Sequence, residues 1–255
     1  MLSKAVNFVK ETLFPIFCVD CQKEGEWWCQ NCLRKNIVSG VLRCPVCDEP
    51  SAHGRACSGC EKNSALSGVV SLFPYSEGEA IGKLIKQFKY NRAHDIQVLW
   101  EEIILKNFSA LIKNSSEHFW KTIPTIIPVP LFVKRERERG FNQAELIGQS
   151  LSQATSWPLN VTDLKRLRAT AQQAKLTRPQ RQTNVAGAFA WQGMGLVSPP
   201  FQGGAAVAVG GGLPSPELVI LVDDVYTTGA TMQEAARVLK LAGSKEVWGF
   251  TLARD

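Results

Sequence analysis

Two adjacent carboxylates, Asp223 and Asp224, directly follow the apolar residues 218–222 and could bind a sugar diol or a divalent metal ion. A short turn rich in hydroxyl groups and glycine comes next, at residues 227–231. The backbone N–H groups of such a turn can hold a phosphate, and Gly229 lets the chain approach the anion closely. This one segment therefore carries groups suited to both ends of a sugar phosphate, with Mg²⁺ beside the acids.

The residues on either side of the acids predict a strand followed by a helix. Residues 218–222 are typical of a buried strand, whereas Met232, Ala235 and Leu239 recur at helical spacing before Gly243. Such a strand delivers the two acids to the carboxyl edge of a sheet. That edge is where open α/β sheets bind ligands.

All eight cysteines lie in the first quarter of the chain, as four Cys-x-x-Cys pairs. This spacing is typical of zinc knuckles, and four thiolates complete a tetrahedral site, so the sequence predicts two structural Zn²⁺ ions. Two alternatives are less favoured. A disulfide framework would require an oxidising compartment, which no signal peptide indicates, and a redox Cys-x-x-Cys motif would require a strand–helix context that these tandem pairs lack. The spacing leaves open whether the two sites are sequential or interleaved. The predicted ligands are Cys18, Cys21, Cys29, Cys32, Cys44, Cys47, Cys57 and Cys60.

The positive charge of the chain is concentrated in one window. The net charge is +6, and residues 131–185 hold ten Lys and Arg against four Asp and Glu, which accounts for the whole excess. A basic window of this kind indicates a polyanion site, and the alternative is a solvated basic surface. Nucleic acid would be attracted by the same charge.

The N-terminus and the hydropathy pattern indicate the cellular compartment of the protein. Residues 1–14 carry no secretory signal pattern and are predicted to form a short amphipathic helix. No apolar stretch is long enough to cross a bilayer. The sequence therefore predicts a cytoplasmic protein without a transmembrane segment.

The remaining patterns predict an α/β fold, a mainly parallel sheet with flanking helices, behind a small double zinc-ribbon module. We expect the zinc module at residues 15–62 and the sheet domain at 63–255, with a Gly/Pro-rich flexible insertion at 193–216. Residues 165–181 are interpreted as a polar loop followed by a short helix. In the helix predicted around residues 81–88, Lys89 is placed off the apolar stripe, and Asn142 is expected to cap a later helix. Strands are predicted at 69–73, 124–130, 187–191 and 246–252.

The segment VDDVYTTGAT at residues 222–231 resembles the phosphoribosyl pyrophosphate motif of type I phosphoribosyltransferases. Together with the cysteine array and further motifs, it resembles the ComF/GntX family, competence-associated proteins with a phosphoribosyltransferase-like domain behind a zinc module. The further motifs are IPVPL at 127–131, RERERGFNQ at 135–143, TRPQ at 177–180, RQTN at 181–184 and GAF at 187–189.

The resemblance implies roles for individual residues. Asp223 and Asp224 would bind the ribose hydroxyls near Mg²⁺, and Arg135 and Arg139 would contact the pyrophosphate, unless they form ion pairs on a helix surface with neighbouring glutamates. Lys175 and Arg178 would lie on a loop that closes over the substrate in catalysis. The residues implied to hold the 5′-phosphate are Thr227, Thr228, Gly229, Ala230 and Thr231.

Three functions fit these features. The first is a phosphoribosyltransferase that uses phosphoribosyl pyrophosphate and Mg²⁺, linked to competence, DNA uptake or the use of imported single-stranded DNA. The second is a non-catalytic accessory protein that binds nucleic acid together with the DNA-uptake machinery. The third is a sensor or regulator that binds phosphoribosyl pyrophosphate without turnover. Fold class alone does not choose among them.

Overall fold

The computed structural model of the protein describes residues 15–36, 40–90, 93–113, 122–170, 178–193 and 214–255. The helix predicted at residues 1–14 and most of the insertion predicted at 193–216 lie outside these residues. The described elements, in chain order, are α1 (Gln30–Lys35), β1 (Gly68–Pro74), α2 (Ala80–Tyr90), α3 (Ala93–Lys113), β2 (Thr125–Pro128), α4 (Val133–Arg139), α5 (Gln143–Thr155), β3 (Leu164–Arg166), α6 (Arg178–Val185), β4 (Phe189–Trp191), β5 (Leu218–Tyr226), α7 (Ala230–Leu241) and β6 (Glu246–Arg254).

Strands β1, β6, β5 and β2 form a parallel sheet in that spatial order. Strand β5 is central, with Val222 paired to Phe250 of β6 on one side and to Pro128 of β2 on the other. The unit β5–α7–β6 joins neighbouring parallel strands through a helix, which is the connection that parallel pairing requires. The predicted α/β class and mainly parallel sheet are confirmed.

The apolar run of β5 is continuous because helices cover both faces of the sheet. Ile220 and Val222 pack in the cluster that contains α2, α3 and α5. Val219 and Leu221 pack in the opposite cluster, which contains α7 and the pair β3–β4. Within the described ranges, no helix combines the length and apolar character needed to cross a membrane.

One predicted loop is in part a strand. β3 pairs with β4 in a separate two-stranded antiparallel sheet, so residues 165 and 166 of the predicted loop are strand, and the strand predicted at 187–191 does not join the parallel sheet. A strand of three residues shows too few alternations for its period to be detected. This correction matters because β3 carries Arg166 into the candidate site.

The cysteine-bearing segment lies along the β1 edge of the parallel sheet. Val41 forms a β-bridge with Ser71 and Arg55 forms one with Gly68, so both contacts lie on the edge of β1 that is not paired with β6. The Arg55 guanidinium also lies 5.0 Å from the ring centroid of Trp248. Covering an edge strand in this way satisfies backbone groups that would otherwise pair with another chain.

Candidate functional site

A pocket of about 700 Å³ opens at the carboxyl ends of the parallel strands. This is the place where a ligand site is expected in an open α/β sheet. The polar and charged side chains that line it are Tyr75, Glu77, Lys89, Arg135, Glu138, Arg139, Asn142, Gln143, Arg166, Thr170, Asp223, Asp224, Tyr226, Thr227, Thr231 and Asp255.

Two cations from different parts of the chain lie near the two acids at the end of β5. Lys89 Nζ, at the end of α2, lies 3.0 Å from Asp224 Oδ2. Arg166, on β3, lies near enough to Asp223 to lower its pKa by charge attraction. The backbone N–H of Asp224 donates to Asp223 Oδ1 over 2.8 Å, which fixes the first carboxylate relative to the second.

The environment of the acids favours a proton on Asp223 and a charged Lys89. Burial and the adjacent Asp224 carboxylate raise the pKa of Asp223 to about 7, against the lowering effect of Lys89 and Arg166. Burial alone would lower the pKa of Lys89, but the Asp224 carboxylate outweighs it and the pKa of Lys89 is raised. Lys89 therefore stays charged at neutral pH, whereas Asp223 is divided between its protonated and ionised forms near pH 7.

Thr227, Gly229, Ala230 and Thr231 line the pocket as the turn and first residues of α7. Gly229 has φ of 73°, and a β-carbon placed there would lie 2.0 Å from the Tyr226 hydroxyl, so only glycine fits. Thr228 does not line the pocket. Its Oγ1 is buried and has no hydrogen-bond partner among the described residues.

Helix α4 presents two arginines to the pocket, one turn apart. Arg135 donates to the carbonyl of Thr170 over 3.1 Å, and Arg139 donates to Gln143 Oε1 over 2.9 Å. Both side chains are half-buried, whereas Lys134 and Arg137 on the same helix are exposed. The helix therefore carries its positive charge on two separate faces.

The motif RGFNQ at residues 139–143 positions this cationic helix against the sheet. Gly140 ends α4 in a left-handed conformation, and its N–H donates to the carbonyl of Glu136. Asn142 caps α5 by accepting from the N–H of Ala144, as predicted, and its amide donates to the carbonyl of Val129. Gln143 donates to the backbone carbonyl of Lys89 while it accepts from Arg139. The motif thus joins the two cationic sides of the pocket.

The two residues implied for a closing loop have side chains outside the part of the chain that the structure describes. Lys175 lies outside the described residues. Arg178 begins α6, and its side chain also lies outside the described part. Their catalytic role stays a prediction.

Sequence reasoning set Lys89 off the apolar stripe of its helix and gave it no role in the site, whereas the structure pairs it with Asp224 in the pocket. Ile81 and Ile85 precede it at intervals of four, so Lys89 continues the buried stripe where that stripe reaches the pocket. This spacing was a usable signal. Arg166 had no comparable signal, because its position depends on the β3–β4 pairing.

The eight cysteines form two sequential groups of four. Within each group the ligand sulfurs all lie within 4.8 Å of one another, and the eight cysteines are free thiols without disulfides. Sulfur–sulfur distances of 3.7 Å for Cys21–Cys29 and 3.8 Å for Cys47–Cys57 match the edge of about 3.8 Å that a ZnS₄ tetrahedron requires at ordinary bond lengths. Both groups could therefore hold a structural zinc ion, in sequential pairing.

Backbone N–H groups prepare one thiol in each cluster for a metal. The N–H of Cys29 donates to Cys18 Sγ, and the N–H of Cys57 donates to Cys44 Sγ. Burial alone would raise the pKa of Cys18 and Cys44, but these and neighbouring backbone donors lower both to about 6. A thiolate is the form that binds a metal.

No family model matches the chain. Curated relatives do match it along most of its length. The "DNA utilization protein YhgH" of Salmonella typhimurium is 28% identical over 89% of this chain and 89% of its own. "Competence protein F" of Haemophilus influenzae is 28% identical over 94% and 98%, respectively, and "Competence protein ComFC" of Bacillus subtilis is 27% identical over 91% and 86%. The resemblance to the ComF family is confirmed by these relatives.

Proposed function

We propose that this ComF-family chain binds phosphoribosyl pyrophosphate with Mg²⁺ and acts as a phosphoribosyltransferase in the uptake or use of DNA. The observation that supports it most is the convergence of three groups in one pocket: the diacid, the turn at residues 227–231 (here called the phosphate turn) and, among the described residues, four cationic side chains. The link to DNA rests on the names of the relatives, which refer to competence and DNA utilization.

The charge of the lining supports a ligand that arrives with a divalent cation. Among the described residues, four cationic and five carboxyl side chains line the pocket, so a bare polyanion meets repulsion as well as attraction. Four of the carboxylates lie at or just beyond the ends of β1, β5 and β6, and the arginines lie on α4 and β3. Asp223 and Asp224 are oxygen ligands of the kind Mg²⁺ prefers. When bound, Mg²⁺ would supply positive charge that neutralises the pyrophosphate as it leaves.

The chain's own residues have separate tasks in this proposal. The two aspartates accept hydrogen bonds from the ribose hydroxyls and stabilise positive charge on the sugar as the bond from C1 to pyrophosphate breaks. The turn at 227–231 donates N–H groups to the 5′-phosphate. Arg135, Arg139 and Lys89 hold the pyrophosphate, with the arginine forks matching its oxygens. An acceptor nucleophile then bonds to C1.

Calorimetry with phosphoribosyl pyrophosphate, with and without Mg²⁺, tests binding directly. We expect binding that depends on Mg²⁺, for the electrostatic reason given above. Pyrophosphate release in the presence of candidate bases then separates an enzyme from a sensor: release supports transfer, whereas binding without release favours the sensor. Absence of binding in both conditions would contradict the proposal.

The affinity for phosphoribosyl pyrophosphate with Mg²⁺ should rise with pH. Asp223 is protonated below its pKa of about 7 and must lose that proton to bind a metal or a diol as a carboxylate. One proton released near this pKa corresponds to an affinity gain of about tenfold between pH 6 and pH 8. Calorimetry over this range measures it. Asp223→Asn should bind weakly and follow only the ligand's own titration, and a wild type that behaves like this variant would contradict the assignment.

A nucleic-acid role is the second candidate, favoured by the exposed cationic face of α4. Lys134 and Arg137 point to solvent, whereas Arg135 and Arg139 line the pocket. If single-stranded DNA follows the exposed face, Lys134→Ala with Arg137→Ala should lower the slope of log affinity against log salt by about 1.4, from roughly 0.7 per phosphate contact. The pair Arg135→Ala with Arg139→Ala is the matched control on the same helix.

The two double variants of α4 are expected to differ in their affinity for DNA, measured by filter binding, and for phosphoribosyl pyrophosphate, measured by calorimetry. The pocket pair should weaken phosphoribosyl pyrophosphate more than DNA, and the exposed pair should do the reverse. DNA binding that ignores salt, or that ignores all four substitutions, would remove α4 from any nucleic-acid surface.

A further inference from the structure

The second cysteine cluster, Cys44 with Cys47, Cys57 and Cys60, touches the strand that ends in the candidate site. The Tyr226 hydroxyl donates to the carbonyl of Pro45 over 2.7 Å. Pro45 lies between two ligands of the cluster, and Tyr226 is the last residue of β5, two positions after Asp224. The side chain of Tyr226 is buried, so this hydrogen bond is shielded from water.

Arg254 makes a second connection between the same parts. Its guanidinium donates to the carbonyls of Arg43 and Cys44 over 2.9 and 2.7 Å, and it lies 2.8 Å from a carboxylate oxygen of Asp48. It also lies 4.7 Å from the ring centroid of Tyr226. Arg254 is 4% exposed, so loss of these partners would leave a buried charge without compensation.

The Tyr226 hydroxyl lies directly against the phosphate turn. The position of a β-carbon at Gly229 is only 2.0 Å from it, so the ring and the turn occupy adjoining space with no room between them. A movement of the Tyr226 hydroxyl toward the turn would therefore displace Gly229. The first cysteine cluster contacts a different strand. Trp28, which precedes its ligand Cys29, packs against Phe73 of β1 with 5.5 Å between the ring centroids.

We infer that Tyr226 and Arg254 are positioning residues that connect the second cysteine cluster to the phosphate turn, so that a metal ion in that cluster and an anion in the turn bind cooperatively. The metal holds the backbone of residues 43–48 in place, and these residues hold Tyr226 and Arg254 by their carbonyls and Asp48. The inference rests on the proposed function for the binding of an anion at the turn and for the identity of that anion. Thermodynamic linkage requires the reverse effect, in which the anion strengthens retention of the metal by the same factor.

The test compares matched variants of the two clusters. Cys47→Ser with Cys57→Ser removes adjacent ligands of the second cluster, and Cys21→Ser with Cys29→Ser removes the equivalent adjacent pair of the first. Hydrogen exchange of the peptide spanning residues 226–231 is measured without ligand, alongside zinc content. We expect exchange there to accelerate at least fivefold more in the second-cluster variant than in the first-cluster variant. Equal acceleration in both would overturn the inference.

Tyr226→Phe tests the connection with both clusters intact. It removes only the hydroxyl that reaches Pro45, so the protein should keep its zinc and its fold. Loss of one such hydrogen bond should lower the affinity for phosphoribosyl pyrophosphate with Mg²⁺ by about fivefold. The same ligand should slow zinc release to a chromophoric chelator in the wild type, and less so in Tyr226→Phe.

The two sets of variants distinguish failure of the proposed function from failure of the cooperative connection. If the wild type binds no phosphoribosyl pyrophosphate, the proposed function fails, and hydrogen exchange in the cysteine variants still decides whether the second cluster supports the turn. If the ligand binds but Tyr226→Phe changes neither its affinity nor the release of zinc, the cooperative connection is wrong.

Discussion

Asp223→Asn combined with Asp224→Asn is expected to reduce Mg²⁺-dependent binding of phosphoribosyl pyrophosphate by at least about a hundredfold. The carboxylates accept charge-assisted hydrogen bonds and bind a metal, and two neutral amides cannot replace both interactions. The amides keep the shape of the side chains, and the amide oxygen at position 224 remains able to accept a hydrogen bond from Lys89. Calorimetry measures the loss, and far-ultraviolet circular dichroism checks the fold.

Stability separates a binding defect from a folding defect in this prediction. Because the pKa of Asp223 is raised to about 7 in the folded protein, its contribution to stability is fully present below the unfolded pKa and declines as pH rises through about 7. Asp223→Asn alone should therefore melt at or above the wild-type temperature at pH 8, while binding is weakened. Such a result indicates a carboxylate that is placed for function at a cost in stability.

Glu136→Gln on the exposed face of α4 is a suitable control, since it removes a carboxylate outside the pocket lining. It should leave the affinity within about twofold of the wild type. Unchanged binding by a folded Asp223→Asn, Asp224→Asn variant would remove the diacid from the site. Lys89→Gln extends the test, because it breaks the pair with Asp224 and should also weaken pyrophosphate-bearing ligands.

The second large effect concerns the cysteine clusters. We expect two zinc ions per chain and, after Cys44→Ser, one zinc ion with local unfolding of residues 40–63. Metal binding supplies the folding free energy of such small modules, about 10–16 kcal/mol for structural zinc in isolated fingers. The damage should extend to the C-terminal end of β6, because Arg254 at that end donates to the carbonyl of Cys44.

Metal analysis gives the zinc content, and limited proteolysis locates the unfolding. His53→Asn is a control within the same segment: His53 belongs to neither group of four cysteines, and asparagine tolerates its positive φ. This variant should retain two zinc ions. Purified protein that holds no metal and carries its cysteines as disulfides would refute the assignment.

Much of the site was predictable because its parts are contiguous in sequence. The apolar run, the diacid, the turn and the α7 helix follow one another within residues 218–241, and each has a local signal: apolar continuity, adjacent acids, a required glycine and helical spacing. The four cysteine pairs and the Asn142 cap are local in the same sense, since hydrogen bonds or ligand bonds over a few residues define them.

Other features depend on which distant segments meet, and no local period encodes that. Equal spacing of the cysteine pairs is compatible with sequential or interleaved sites, and only the folded chain shows the sequential arrangement. Arg166 lies close enough to Asp223 to lower its pKa because β3 pairs with β4, and Lys89 forms an ion pair with Asp224 because α2 covers the sheet beside β5.

The contact between Tyr226 and Pro45 illustrates the reason most clearly. It exists because β1 lies at the sheet edge, next to β6, and the cysteine segment that bridges to β1 also contacts the ends of β6 and β5. The order of parallel strands is selected by the packing of both faces and by the crossover connections, which are properties of the whole domain. The amino-acid sequence therefore specifies the reactive groups locally. The tertiary structure decides which cations, which backbone carbonyls and which cysteine cluster lie next to them.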